Sequence, residues 1–529
     1  MKSIIKGSIA AGGCFDKNSS FVAGIEPICP HIQCGRIIYS LNDNNYIMDK
    51  MNVSTKVEEN KHFLIKNFKN SNDVVYHDFE TYSNMKAMIV YIDGLVDKEI
   101  LNRDVLTPLM MGPGEKDVKK SIHVSNIKEV KMMSEVTDEI LDGNAAMFIE
   151  GWDTFLILDS KNWEKRAIDE PASESVIRGP KEGFIESIRV NTSLLRRKIK
   201  NNNLVFEGLK KGKQTKTDIA IAYIDNIVDK DVLAEVRRRI NRIDTDSILE
   251  SGYVEQFIED SPYSLFPTVG NTQKPDVAAA KLLEGRVGIF CDGTPHVLTV
   301  PCLFIENLQT SEDYYIRPAL ATLLRFFRLL ALIISIMLPA LYVALTTYHQ
   351  EMIPTVLLIS MAGAREGIPL PALAEALIMT VLFELLRESG TRLPRAIGSA
   401  ISIVGALVLG EAAVNAGLVS APMVIIIATT AVTSFVIPAL TEVMTLFRLI
   451  FLLLGGIMGL YGITCGMFII VAQAVSLRSF GVPYASALAP FSASTMKDFI
   501  LRIPLRLMKT RPQFITRKNK IRRGNTRRK

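Results

Sequence analysis

Residues 329–348 read LLALIISIMLPALYVALTTY, twenty residues without a charge. That is about the length an α-helix needs to cross the hydrocarbon core of a bilayer. The run opens a larger block: between Arg328 and Arg478 lie 149 residues with only twelve charged side chains. Further apolar stretches follow at 367–386 (with Glu375 and Glu384), 396–419 (with Glu411), 421–441, and 449–476, which is long and charge-free. Residues 352–363, flanked by Pro354, Pro369 and Pro371, are too short to cross and read as a surface or re-entrant segment. The expectation over 311–498 is an all-α polytopic membrane domain.

Arg325 and Arg328 precede the first stretch, and Arg387, Arg392 and Arg395 separate the second from the third. Both clusters mark a cytoplasmic side, as does the tail at 499–529, which holds twelve basic and no acidic residues. Five crossings would put that tail outside, so an even number, four, is expected. In this orientation Glu375 lies eight residues in from Gly367 and Glu411 eight in from Val419, each roughly 12 Å from the outer face. Thr429 and Thr430 fall at a similar depth. A central carboxylate costs about 3 kcal/mol, so such groups face water or a polar partner. Glu375, Glu411, Asn415, Thr429 and Thr430 are therefore candidates for a pore or ion pathway; a paired or protonated structural role is the alternative. Gly398, Ser402, Gly405, Ala406, Ala413 and Gly417 share the face opposite Glu411 and Asn415, where small residues let helices approach. Glu384, three residues from Arg387, reads as a rim ion pair.

The part before this block repeats itself. KAMIVYIDGLVDK at 86–98 is echoed by DIAIAYIDNIVDK at 218–230, an offset of 132. GNAAMFIEGWDTFLIL at 143–158 aligns without gaps on GRVGIFCDGTPHVLTV at 285–300, an offset of 142. Each copy starts with a buried-looking strand and a helix opening near Asp97 or Asp229. Each ends with a hairpin turned on Glu150-Gly151 or Asp292-Gly293, where Gly supplies positive φ. Two α/β lobes of similar plan are expected at 61–176 and 201–310, joined by a turn and helix at 177–200. Pro275-Asp276 opens an Ala-rich helix that stops at Gly285. The connector begins Arg178-Gly179-Pro180-Lys181-Glu182-Gly183; it lacks the Gly-Lys-Ser/Thr ending of a phosphate loop. Its Arg189, Arg196, Arg197 and Lys198 form a basic face, read as solvated or partner-facing.

Residues 1–60 read as a poorly ordered leader. Cys14, Cys29, His31 and Cys34 match no familiar zinc spacing, and the Ala11-Gly12-Gly13-Cys14 box follows an apolar run too short for a processed signal. Six scattered cysteines are no disulfide framework and suit a reducing compartment. Residues 1–310 carry 39 basic and 45 acidic groups, which argues against a nucleic-acid partner there. No nucleophile–base constellation, metal site or cofactor motif is visible, so no enzymatic activity and no cofactor are expected. The tail alternates apolar and basic residues; it suits anionic lipid at the inner leaflet, with plain topology anchoring the favoured purpose.

Several long runs carry a resemblance: IRGPKEGFIESIRVNTSLLRRKI at 177–199, RIDTDSILESGYVEQFIEDSPYSLFPTVGNTQKPDVAAAKLLEGRVGIFCDGTPHVL at 242–298, LPALYVALTTYHQEMIPTVLLIS at 338–360, AREGIPLPALAEAL at 364–377, RLPRAIGSAISIVGALVLGEAAVNAGLVSAPMV at 392–424 and LRSFGVPYASALAPF at 477–491. Together they resemble the A subunit of the GerA-type spore germinant receptors, over roughly residues 70–510. The resemblance implies a multi-pass protein of the spore inner membrane, with lobes and tail cytoplasmic. It implies B and C subunits as partners, a homo-oligomer of A subunits, and a role in passing nutrient sensing on to ion release. An accessory relative of the stage V sporulation AF type, acting without B and C partners, is the alternative.

Overall fold

The computed structural model describes residues 52–522 apart from 112–117, 125, 163–173, 175, 393–409, 487, 490–495, 513 and 517–518. Cys14, Cys29, His31 and Cys34, and Gly398, Ser402, Gly405 and Ala406, lie outside the described residues.

Two five-stranded sheets form the first half. The first lobe runs α1 (Val57–Asn67), β1 (Val74–Glu80), β2 (Lys86–Ile92), α2 (98–111), β3 (Ile127–Val130), α3 (Met133–Leu141), β4 (Ala145–Ile149) and β5 (Phe155–Leu158). The second runs α4 (Ile188–Lys198), β6 (Leu204–Lys211), β7 (Thr217–Ile224), α5 (Lys230–Arg242), α6 (Ser251–Ile258), β8 (Gly270–Thr272), α7 (Pro275–Leu283), β9 (Val287–Cys291) and β10 (Val297–Val300). The strand orders are β1-β2-β4-β5-β3 and β6-β7-β9-β10-β8, the same plan twice. The two sequence offsets land on one ladder position: Ala87 pairs Ile149 in the first sheet, and Ile219 pairs Cys291 in the second. Asp97 and Asp229 cap α2 and α5 by accepting from backbone N–H groups two or three residues on. Gly151 and Gly293 take φ of 89° and 85° at the hairpins. Helix α1 begins inside the stretch read as leader, its first N–H held by Glu150 at 2.8 Å.

Every ladder is antiparallel, so the lobes are α+β rather than the α/β expected from the strands. The cause of the misreading is burial on both faces. Met88 and Val90 pack under α1 and α3, while Ala87 and Ile89 pack under α2. A strand covered on both sides reads as a continuous apolar run, the pattern usual for parallel sheets.

The lobes are pinned together by a residue taken above for part of a solvated or partner-facing surface. Arg196 is fully buried and grips Asp73 of the first lobe with two bonds of 2.9 Å. Its other donors reach the carbonyls of Asn201 and Leu204 and the Ser71 hydroxyl. Arg189 and Lys198 stay exposed, and Arg197 is half-buried beside Glu182.

The second half is helical: α8 (Pro318–Thr347), α9 (Thr355–Arg365), α10 (Ala372–Arg392), α11 (Gly410–Asn415), α12 (Ala421–Ser434) and α13 (Thr441–Ser476), followed by a short β11–β12 ladder (Arg478–Ser479 and Val482–Pro483). Two of these segments are long and apolar enough to cross a membrane, Pro318–Thr347 and Pro438–Ser476. The second is not a single rod. Gly459 breaks it with φ 62° and ψ −145°, a conformation open only to glycine. Beyond the break the chain folds back. A Cβ on Gly462 would meet the Leu454 carbonyl, and one on Gly466 would meet Leu454 and Phe451. In a straight helix, residues 451 and 466 would be about 22 Å apart. The run 449–476, read as one long crossing, is thus the greater part of a helical hairpin with arms 441–458 and 460–476.

The first arm lies parallel to α8: Arg448 bonds Ser335, Gly455 touches Ala340, and Gly459 touches Tyr348 and His349. The second arm returns to the lobes, where Ser479 donates to the Thr268 carbonyl and Phe480 N–H to Asp260. Helix α8 starts at the same lobe, so the helical layer is entered and left on one side.

Breaking the interlobe clamp should be costly. Arg196→Ala leaves Asp73 buried without its counter-charge and should lower stability by about 3–5 kcal/mol. Arg197→Ala should stay within about 1 kcal/mol. Denaturant titration followed by tryptophan fluorescence, with both tryptophans at 152 and 163, measures the difference.

Candidate functional site

Two charged nodes sit inside the apolar helical layer. The first is Glu375, buried in the opening turn of α10. Pro369 and Pro371 delay that helix until Ala372, so the carboxylate sits where the helix dipole favours negative charge. Its Oε1 accepts from the N–H of Ser420 at 2.6 Å and from the Ser420 hydroxyl. Ser420 is in turn the cap of α12, accepting from the Met423 N–H. Two helix N-termini therefore converge on one carboxylate. Arg365 approaches Oε2 at 3.9 Å without a hydrogen bond. The Tyr342 hydroxyl lies beside Ser420 and within electrostatic reach of Glu375 and Arg365.

The second node lies nearer the lobes. Pro339 has no N–H, so the carbonyl of Ser335 loses its helical partner. Arg448 replaces it, its Nε donating to that carbonyl at 3.0 Å and another nitrogen to the Ser335 hydroxyl at 3.1 Å. The same guanidinium holds Glu384 at 3.0 Å, and Glu384 also pairs Arg387 at 2.7 Å. Thr445 bridges Arg387 and Glu384, at 3.2 Å from each. Glu384 is thus no simple rim pair with Arg387. It is the hinge of a network joining α8, α10 and α13, and Arg448 was missed because the apolar run was started one residue after it. A proline four residues after a serine on one apolar stretch, with an arginine bordering another, was the available signal.

The remaining candidates do not assemble into one layer. Thr429 and Thr430 lie nine and ten residues along α12 from Ser420, about 14 Å nearer the lobes than Glu375. Their hydroxyls donate to the carbonyls of Ile425 and Ile426. The depth reckoning failed because it counted Glu375 from Gly367, whereas the helix starts five residues later. Glu411 and Asn415 are exposed on α11. Gly417 takes φ 64° just past that helix, with open space where a Cβ would stand. It is a helix stop, not a packing residue. Ala413 packs against the cluster around Val419 and Met423. Between α10 and α12 runs an apolar groove of about 720 Å³ that reaches from Glu375 to Arg387.

The connecting motif ties the second lobe to the start of α8. Gly179 lies against the Tyr315 ring so closely that a Cβ would come within 2.9 Å. The N–H of Arg178 donates to Glu312, the Pro180 carbonyl accepts from Lys274, and Glu182 pairs Arg197 and Lys198. Gly183 is buried beside Phe184 of the second core. The tail, expected to serve the membrane surface, is folded onto this lobe as far as Arg522. Arg511 and Thr516 donate to the carbonyls of Leu283 and Glu284, closing the C-terminal end of α7. Arg325 and Arg328, read as topology markers, are held by Asp313, and Arg325 also grips Asp498 at 2.9 Å.

A family model described as Bacillus/Clostridium GerA spore germination protein matches residues 62–514. Among curated proteins, the chain is 45% identical to spore germination protein KA of Bacillus subtilis (strain 168), over 87% of this chain and 86% of that protein. It is 43% identical to the uncharacterized membrane protein YfkQ of the same organism, over 92% and 95%. Spore germination protein GerLA of Bacillus cereus is 37% identical over 82% and 90%. Among solved structures, the N-terminal domain of the A subunit of the Bacillus megaterium spore germinant receptor GerK3 aligns at 33% identity. That alignment covers 48% of this chain and 98% of that one, with a TM-score of 0.37.

Arg448→Leu removes the counter-charge of Glu384 and frees the Ser335 carbonyl, and should cost about 3–5 kcal/mol. The double variant Arg448→Leu/Glu384→Leu should lose less, because no charge remains unpaired. Thermal unfolding of the purified protein in detergent separates the two.

Proposed function

The chain belongs to the Bacillus/Clostridium GerA spore germination protein family, and from that premise we propose that it is the A subunit of a nutrient-germinant receptor in the spore inner membrane. The family match over residues 62–514 carries the reading. The helical half supports a membrane setting. Its outward side chains are apolar, with Ile425, Val432, Ile457, Phe468 and Ile469 each at least 65% exposed. Two of its charges, Glu375 and Arg448, point inward. That is the arrangement expected where lipid replaces water as solvent. Arg325 and Arg328 lie at the lobe end of α8 and Arg387 near the lobe end of α10, while the far side offers Glu351, Arg365 and Glu366. By the positive-inside bias, lobes and tail are cytoplasmic.

In this reading, B and C subunits deliver the nutrient signal and copies of this chain form the unit that conducts or couples it. The groove between α10 and α12 is apolar along its length, which disfavours an ion path through a single copy. A path between copies is the better fit, with exposed Glu411 and Asn415 facing it and Glu375 holding the α10–α12 corner behind them.

The test is monovalent-cation flux through liposomes holding this chain with its B and C partners. Glu411→Gln should lower flux about tenfold. Glu375→Gln, which keeps a hydrogen-bond acceptor for Ser420, should have a smaller effect. Flux unchanged in both variants would remove these residues from the pathway, and no flux from any form would leave the chain a coupling subunit.

A further inference from the structure

The two lobes can be compared position by position. Their outer hairpins align on the ladder: Val75 pairs Tyr91 and His77 pairs Ile89 in the first, while Val205 pairs Tyr223 and Glu207 pairs Ile221 in the second. The helices that follow align on buried residues, Leu101 with Leu233, Val105 with Val236 and Leu109 with Ile240. The offset drops from 132 to 131 across Leu101–Leu106, where α2 makes one turn of π-helix and takes in an extra residue. Leu106 therefore stands where the second lobe has Arg237, as His77 stands where it has Glu207.

In the second lobe these positions close a polar cluster. Glu207 accepts from the Tyr223 hydroxyl at 2.6 Å and from Nε of Arg237 at 2.8 Å. Lys230 stands over the Tyr223 ring and pairs Asp225. The first lobe keeps the tyrosine, the lysine and the aspartate, as Tyr91, Lys98 and Asp93, but has neither the carboxylate nor the guanidinium. A cavity of about 90 Å³ takes their place, lined by His77, Ile89, Tyr91, Lys98, Asn102 and Leu106. The Tyr91 hydroxyl has no hydrogen-bond partner among the described residues. Asp93 is shared by two cations, Lys98 at 2.7 Å and Arg189 at 3.9 Å, so positive charge is left over beside the cavity.

The volume is that of a few water molecules and suits one carboxylate; a small-molecule site needs roughly 300–1,000 Å³. A carboxylate at the end of a side chain fits that limit, and the neighbouring surface suits the rest of a protein segment. Farther along α2, Met110 and Met111 replace Asn241 and Arg242 of the second lobe, and Met111 is 80% exposed. Tyr82, whose N–H donates to the Leu109 carbonyl, is 62% exposed. Exposed aromatic and methionine side chains are typical of surfaces that meet other proteins. From His77 to Tyr82 the chain covers about 17 Å, five residues of extended backbone.

We propose that this face of the first lobe docks an acidic segment of a protein partner. One carboxylate of the segment enters the cavity and accepts from Tyr91 and Lys98, much as Glu207 accepts from Tyr223 and Arg237. An apolar side chain about five residues away lies on Tyr82 and Met111. The docking stands whether or not copies of this chain conduct ions, so its failure and a failure of flux are separate results.

The experiment is fluorescence anisotropy of labelled peptides of about nine residues, each with one glutamate and one leucine about five positions apart among serines. They are titrated with the full chain in lipid nanodiscs, against empty nanodiscs. Saturable binding is expected, weakened about tenfold or more when glutamine replaces the glutamate. His77→Glu puts the second lobe's carboxylate into the cavity and should abolish binding. Tyr91→Phe and Met111→Lys should each weaken it about tenfold. His77 and Met111 are exposed, so their variants decide should Tyr91→Phe not fold. Sodium acetate tests the source of the carboxylate: lacking the apolar anchor, it should compete only at about a hundredfold higher concentration than the peptide. Acetate as potent as the peptide would make the cavity a small-anion site and overturn the proposal. No saturable peptide binding, or binding unaltered by the glutamine exchange and by His77→Glu, would overturn it as well.

Discussion

A single backbone carbonyl organises the helical half. Pro339 leaves Ser335 without its helical donor, and in an apolar surrounding that vacancy must be filled. Arg448 fills it. The guanidinium then needs a carboxylate at comparable depth, which Glu384 provides, and Glu384 fixes α10 against the pair. Gly455 and Ala340, one or two turns farther along, can then touch. Parallel contact between α8 and the first arm of α13 follows, and with it the need for the chain to turn back at Gly459. The polar contacts choose the register; the apolar surface around them supplies most of the adhesion.

At its lobe end this layer is built into the second sheet rather than tethered to it. Arg325 reads Asp313 and Asp498 together, bringing the start of α8 and the chain after α13 to one point. Burial and the Asp498 carboxylate keep the Tyr314 phenol protonated, so it donates to Asp498 at 2.7 Å. Phe266, Phe304, Phe447 and Tyr484 form an aromatic cluster drawn from the second lobe, the first arm of α13 and the segment after β12. A displacement of the lobe would have to be shared by α8 and both arms of α13.

How much of this was readable beforehand depends on whether a feature is local. The repeat was legible because strands and hairpin glycines write their pattern into adjacent residues. The two offsets even name the paired positions, Ala87 with Ile149 and Ile219 with Cys291. Strand direction was not legible, since burial on both faces erases alternation. Arg196 looked like its exposed neighbours because its partner, Asp73, is 123 residues away. The helical hairpin hid inside a charge-free run because composition carries no sign of reversal, and Gly459 is one glycine among several there. Glu375 was recognised as exceptional, but its depth depended on where α10 starts, and helix starts are the least secure part of a sequence reading.

The repeated lobes are alike in plan but unequal in length. The offset between copies grows from 132 to 142, so the second copy carries ten residues the first lacks. They fall between α5 and β8, the stretch that holds α6. That helix places Glu255 within electrostatic reach of Glu442 at the head of α13. The longer copy is the one that carries the helical half, and its extra length lies where it faces the head of α13.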